Sequence, residues 1–280
     1  MLKPMFKYSG GKSKELKFIN TILPNSYERV IEPFVGGGAF FLSNDKPAII
    51  NDNNSLVVNF YKVVSNPILF KQLMLKYEEA SKLGLDNTLS KEQLRHTNGN
   101  LCNLYYKARD YINNNQNNID DVDLAFNFLV VRQLAFSGMH RQDKDGNFNV
   151  PFGWYKKLSS TIKNEHHDKL SNTTINFGSF EKSMENLLET DFIFLDPPYL
   201  ERAGYKDTTG TTSTQLHTNL SELLKNTKAK WMIIHTDIPL YRELYKGYNF
   251  ISKDFNYSQR FGKDKDHSSA DTKHIYITNY

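Results

Sequence analysis

Apolar residues along this chain gather into short runs rich in Val, Ile, Phe and Tyr, each closed by polar or Gly-rich residues. They fall at 27–34 (YERVIEPF), 47–52 (PAIIND), 173–178 (TTINFG), 191–198 (DFIFLDPP), 230–237 (KWMIIHTD), 248–255 (YNFISKDF) and 274–280 (HIYITNY). Helix-like patterns follow several of them, notably after Asn53 and within STQLHTNLSELLKN, where Ser or Thr can cap the first turn. Such alternation predicts an α/β fold with a mostly parallel sheet. The last two runs are joined only by QRFGKDKDHSSADTK, which has no helical period, so they are expected to form an antiparallel pair at the sheet edge.

The texture changes over residues 70–169, where helical patterns are broken by the Asn-rich YINNNQNNIDD and by the polar, Gly-containing SGMHRQDKDGNFNVPFGWYKK. This stretch reads as a second domain inserted into a first one formed by 1–69 and 170–280. The Asn tract itself reads as a solvated loop. At 280 residues and 39% hydrophobic content the chain can bury a substantial core. A formal charge of +4 permits nucleic-acid binding without demanding it. The single cysteine, Cys102, excludes an internal disulfide framework and a Cys-based zinc site. No segment approaches the ~18 uninterrupted apolar residues of a membrane span, and a soluble cytoplasmic protein is expected.

Candidate chemistry sits where the strand-like runs end. DFIFLDPPYL places a carboxylate, two prolines and an aromatic ring directly after a buried run; Asp-Pro alone could be a structural turn. EPFVGGGAF puts three glycines between the first convincing strand and a helical start, and Asp52 closes the next strand. Glycines there let a ligand approach the backbone, and an acidic side chain at the second strand end can accept from both hydroxyls of a ribose, which points to a nucleoside-containing cofactor. SGGKS at 9–13 fails as a phosphate-binding loop because Phe6 stands where glycine is required. Its glycines and Lys12 suit a carboxylate better than a pyrophosphate.

In order, FKYSGGK, EPFVGGGAF, NDNN, FNVPFGWYK and DPPY resemble the Dam-type DNA adenine N6-methyltransferases, over nearly the whole chain. The resemblance implies a seven-stranded Rossmann-like methyltransferase sheet, with 1–69 and 170–280 binding S-adenosylmethionine and 70–169 as a mostly helical target-recognition domain. It implies catalysis by Asp196, Pro197, Pro198 and Tyr199, and cofactor contacts from Tyr8, Lys12, Phe34, Gly36, Gly38, Asp52, Phe180 and Asp196. The implied partner is double-stranded DNA, touched by Lys7, Phe136, Arg141, Pro151 and Tyr155, with GATC the favoured site, no metal, and a monomer in solution. Such an enzyme, bacterial or phage-encoded, would work in the bacterial cytoplasm. Three departures stand out: Ser179 replaces the usual Asp of Gly-Asp-Phe, Ser137 a common Asn, and the connection from Arg141 to Phe148 is slightly long. Rival readings are an N-methyltransferase of RNA or protein amide, which Asp rather than Asn at 196 disfavours, and a silent DNA-binding regulator, which the intact motifs disfavour.

His166 and His167, in KNEHHDK, read as a solvated surface pair rather than a metal cage, and Cys102 as a buried small residue. The loops at 200–214 and 259–273 follow the catalytic and edge strands and read as DNA-contacting flaps.

Overall fold

A computed structural model of the protein describes residues 1–116, 118–159, 161–200, 213–256 and 271–280. Most of both expected flaps lies outside the described residues. All seven apolar runs are strands: β1 (Arg29–Glu32), β2 (Ala48–Asp52), β3 (Thr174–Phe177), β4 (Asp191–Leu195), β5 (Lys230–Thr236), β6 (Asn249–Asn256) and β7 (Asp271–Thr278). They form one sheet in the order β3-β2-β1-β4-β5-β7-β6. β3, β2, β1, β4 and β5 are parallel, while β7 runs antiparallel to both β5 and β6. This is an α/β Rossmann-like methyltransferase sheet with the expected antiparallel edge pair.

The central strands are apolar on both faces because both faces are covered. Side chains alternate across the sheet. Val30, Phe192, Phe194, Met232, Ile234 and Tyr276 join one buried cluster; Ile31, Ile193, Leu195, Trp231, Ile233, Ile275 and Ile277 join the other. Helices α1 (Leu16–Ile19), α2 (Ala39–Ser43), α3 (Ser55–Ser65), α4 (Pro67–Ser81), α5 (Lys91–His96), α6 (Leu101–Asn114), α7 (Val122–Leu134) and α8 (Asn164–Ser171) precede β3. Two more, α9 (Ser213–Asn226) and α10 (Pro239–Leu244), cover the second face. Asn54, Asn66, Ser90, Asn100 and Asp121 cap α3 to α7, each accepting a first-turn backbone N–H. Among the described residues no helix is long and apolar enough to cross a membrane.

The helical segment shares the core of the first sheet face: Phe60, Tyr61, Leu129 and Val131 belong to the same cluster as Val30 and Phe194. From α7 the chain enters a tight Phe136–Gly138 turn and a hairpin bridged at Gln142 and Phe148. The Asn tract is not merely a solvated loop. Asn113 clamps the hairpin, its Nδ2 donating to the Phe148 carbonyl (3.1 Å) and its Oδ1 accepting the Phe148 N–H (2.8 Å). Nor do the two histidines form a solvated pair. His166 is buried, accepting from the Lys163 N–H (3.0 Å) and donating to the Lys3 carbonyl (2.9 Å). His167 stacks on Phe70 at 5.0 Å and bonds the Val64 carbonyl at 2.8 Å. Cys102 is buried and free, as expected.

Candidate active site

The strand order reverses between β1 and β4, and in an open α/β sheet that switch point opens a crevice at the carboxyl ends of the strands. A cleft of 740 Å³ occupies it, of ordinary size for a small-molecule site. Its floor is the glycine loop after β1. Gly36 and Gly38 have φ of +46° and +65°, which side-chain-bearing residues rarely adopt. A Cβ on Gly36 would lie 2.6 Å from the Tyr8 ring, and one on Gly38 2.7 Å from the Tyr61 hydroxyl. The Tyr61 hydroxyl in turn donates to the Gly36 carbonyl at 2.9 Å. The loop is thus packed against the Tyr8 ring and the Tyr61 hydroxyl with no room for side chains of its own.

Asp52 ends β2 beside this loop. Its Oδ2 accepts the Gly36 N–H at 2.8 Å and its Oδ1 the Asn54 N–H at 2.9 Å. The Asn53 N–H also bonds this carboxylate, which keeps acceptor capacity for a ligand hydroxyl. Burial, only partly offset by those backbone bonds, pushes its pKa up to about 6. Glu32, at the end of β1, also faces the cleft, although the sequence reading passed over it within EPFVGGGAF. Its Oε2 accepts the Phe41 N–H at 2.9 Å, and burial raises its pKa well above the usual carboxylate range.

Asp196 leaves the end of β4 and meets the N-terminal segment. Lys12 Nζ lies 2.6 Å from Asp196 Oδ2 and donates to the Gly10 carbonyl at 2.9 Å. The Tyr199 hydroxyl donates to Asp196 Oδ1 at 3.2 Å. Lys12, expected opposite a ligand carboxylate, is therefore engaged with the D-P-P-Y motif in this state. With side-chain exposures of 5% and 20%, the two charges hold one another in a fixed geometry rather than exchanging with solvent.

The structure brings Tyr8, Lys12, Phe34, Gly36, Gly38, Asp52, Asp196, Pro197, Pro198 and Tyr199 around one cleft. Phe180 is buried behind Phe34, ring centroids 5.5 Å apart, whereas Phe177 at the end of β3 lines the cleft and is 39% exposed. The sequence offered a signal for Phe177, an aromatic closing the third strand run. It offered none for Gln116, His140, Gln142 and Asp143, which reach the cleft from the helical segment and its hairpin.

The other expected residues gather at the base of that hairpin. Lys7 Nζ donates to the Gln133 carbonyl (2.8 Å) and sits 3.9 Å from the centre of the Tyr155 ring. Phe136, 45% exposed, donates its N–H to the Pro151 carbonyl at 2.9 Å. Arg141 is exposed on the hairpin, its Nε 2.7 Å from Asn149 Oδ1. Beneath them the buried Arg132 guanidinium donates to the carbonyls of Lys7 (2.7 Å), Met139 (3.2 Å) and Gly138 (3.3 Å). Among the described residues no group of three or more His, Cys, Asp or Glu is arranged to hold a metal ion.

A seven-stranded sheet with a reversed penultimate strand in space, a glycine loop after β1 and acidic residues ending β2 and β4 defines the Rossmann-like methyltransferase class. Residues 8–259 match the D12 class N6 adenine-specific DNA methyltransferases, and the chain belongs to that family. It is 30% identical to the type II methyltransferase M.CviBI of Paramecium bursaria Chlorella virus NC1A, over the whole of both chains. It is 32% identical to the type II methyltransferase M.MjaIII of Methanocaldococcus jannaschii, across 89% of each chain. Against the DNA adenine methylase of Escherichia coli K12 the identity is 28%, covering 87% of this chain and 84% of the other. The chain is an adenine-specific DNA methyltransferase.

Proposed function

We propose that this enzyme uses S-adenosylmethionine to methylate N6 of an adenine flipped out of a short duplex site, with GATC the favoured sequence. The observation that carries the reading is the meeting, in one cleft, of a glycine loop without side chains, the strand-end carboxylate of Asp52, and Asp196 held by Lys12. Asp52 accepts the ribose hydroxyls, the Gly36–Gly38 floor admits the nucleoside to van der Waals distance, and Tyr8 and Phe34, the latter backed by Phe180, pack the aromatic end. The cofactor supplies an electrophilic methyl group on a sulfonium.

An adenine amine is a poor nucleophile because its lone pair is delocalised into the ring. Asp196 Oδ1 and the Pro197 carbonyl each accept one N6–H, drawing the amine out of conjugation. The Lys12 ion pair holds Asp196 turned toward that task, and the Pro197–Pro198 elbow keeps both acceptors still. Tyr199 stacks on the base, which reaches the cleft only when flipped from the duplex.

Residues 1–69 and 170–280 serve as the catalytic unit and 70–169 as the target-recognition unit. Lys7 and Arg141 read guanine edges, Phe136 enters the duplex, and Pro151 and Tyr155 shape the recognition surface. Tritiated adenosylmethionine incubated with purified protein and unmethylated DNA should label adenine N6, and sequencing of methylated adenines should return GATC. No transfer of label from adenosylmethionine to DNA would refute the cofactor; a different consensus would refute the site preference.

A further inference from the structure

Beneath the D-P-P-Y elbow lies a buried layer of rings to which the chemistry above gives no task. His217 of α9, His235 of β5, His274 of β7 and Tyr241 of α10 are each 3% exposed or less. His235 stacks flat on Tyr241 with centroids 3.6 Å apart, and His217 meets both edge-on at 5.0 Å. Tyr199 stands edge-on above, 5.7 Å from His274 and 6.2 Å from His235. A polar contact reaches the elbow from this layer: His217 Nε2 lies 3.0 Å from the Pro198 carbonyl oxygen, with the Tyr241 hydroxyl 3.1 Å away on the same nitrogen.

A carbonyl only accepts, so Nε2 carries the proton. Burial lowers the pKa of His217 to about 4, leaving the ring neutral and Nδ1 a bare acceptor. That Nδ1 is buried without a hydrogen-bond partner among the described residues. The ring thus tolerates one unsatisfied atom while the other nitrogen holds Pro198. The proline rings fix φ at 197 and 198, so ψ of Pro198 is the torsion that decides where Tyr199 goes. Pinning the Pro198 carbonyl into the protein sets that torsion and leaves the Tyr199 hydroxyl within reach of Asp196.

We propose that His217 is a positioning residue for methyl transfer: by locking the Pro198 carbonyl it aims Tyr199 at the target base. The inference rests on the roles given above to Asp196 and Tyr199. It goes beyond them in assigning a function to a residue outside the cleft wall.

The test compares two variants without a donor, His217→Leu and His217→Ala, with His217→Gln, whose amide nitrogen can reach the Nε2 position. Each is assayed for kcat, for KM of adenosylmethionine and for melting temperature. Loss of one buried hydrogen bond should lower kcat about tenfold in the donor-less variants. KM for adenosylmethionine should stay within about twofold, because ground-state cofactor binding is untouched. His217→Gln should recover to within about threefold of wild type and share its pH profile, since a neutral imidazole shuttles no proton. A donor-less variant with wild-type kcat overturns the proposal, and so does a folded His217→Gln as slow as the others. If Leu and Ala do not fold, the Gln variant decides alone. Asp196→Ala is run beside them: retained transfer there sinks the site reading itself, whereas a dead Asp196→Ala with a fully active His217→Leu sinks only the positioning role.

Discussion

Acidification should loosen adenosylmethionine binding through Asp52. The carboxyl is raised from its ordinary 3.8 to about 6 because burial opposes the charge more than the N–H groups of Asn54, Gly36 and Asn53 favour it. Two ribose hydroxyls donating to the charged form gain about 1 kcal/mol each over the same bonds to a neutral carboxyl. The two protonation states therefore differ about thirtyfold in affinity. At pH 5 about nine-tenths of the free protein carries the neutral form, so Kd should rise about tenfold between pH 8 and pH 5. Asp52→Asn should bind more weakly at pH 8 and respond little to pH. Changes in the cofactor's own charge affect wild type and variant alike and cancel in the ratio. Titration calorimetry across this range is the assay.

The same shift has a consequence for the protein without cofactor. A group whose folded pKa is raised contributes stability at pH below its unfolded value and loses it as pH climbs through the folded one. For Asp52 that window runs from 3.8 to about 6, and the change is worth about 3 kcal/mol. The melting temperature of Asp52→Asn should therefore gain on wild type as pH rises from about 4 to about 6 and hold that gap above it. A wild-type Kd that is flat from pH 8 to 5, or an Asn variant that follows the wild-type curve, would refute the reasoning and put the ribose elsewhere.

Asp196→Ala should abolish methyl transfer in a folded protein, read as tritium counts on DNA; substantial residual turnover removes Asp196 from orienting the amine. Tyr199→Phe loses the 3.2 Å bond to Asp196 and should slow kcat by about fivefold, whereas Tyr199→Ala also loses base stacking and should fall well below it. Equal losses in both variants would mean that the hydroxyl, not the ring, carries the role. Arg141→Ala should relax methylation at one outer position of the site, a base-reading arginine being worth roughly 1–3 kcal/mol there. Near-cognate sites in methylation sequencing report it, and a uniform loss at all sites means a phosphate contact instead.

The strands were legible because covered parallel strands leave continuous apolar runs, and the antiparallel edge because no helix period separates β6 from β7. The D-P-P-Y elbow, the glycine loop and Asp52 were legible for a related reason: each closes such a run. What stayed hidden depends on partners distant in sequence. Lys12 and Asp196 are 184 residues apart, and nothing local says that they pair. The Lys3 carbonyl that receives His166 is 163 residues away, so a doubly bonded buried histidine looks like part of a polar surface run. Asn113 looks like any member of an Asn tract until Phe148, 35 residues on, supplies both halves of its clamp.

Those hidden contacts also explain how one short segment can serve two faces of the molecule. Lys7 and Tyr8 are neighbours, yet the Lys7 ammonium lies on Tyr155 at the hairpin base while the Tyr8 ring packs under Gly36 in the cleft. Between them the Lys7 carbonyl is gripped by Arg132, which also holds the carbonyls of Gly138 and Met139. Burial lowers that guanidinium to about 10, so it stays charged at neutral pH, and its fork fixes three backbone points at once. A second strut runs through Ser55, whose hydroxyl donates to the Gln116 carbonyl just beyond Asn113. The hairpin is therefore anchored at one end to the segment carrying Lys12 and at the other to the helix that follows Asp52. Arg132 and Asn113 therefore tie the hairpin, through hydrogen bonds to the backbone, to segments that also line the cleft.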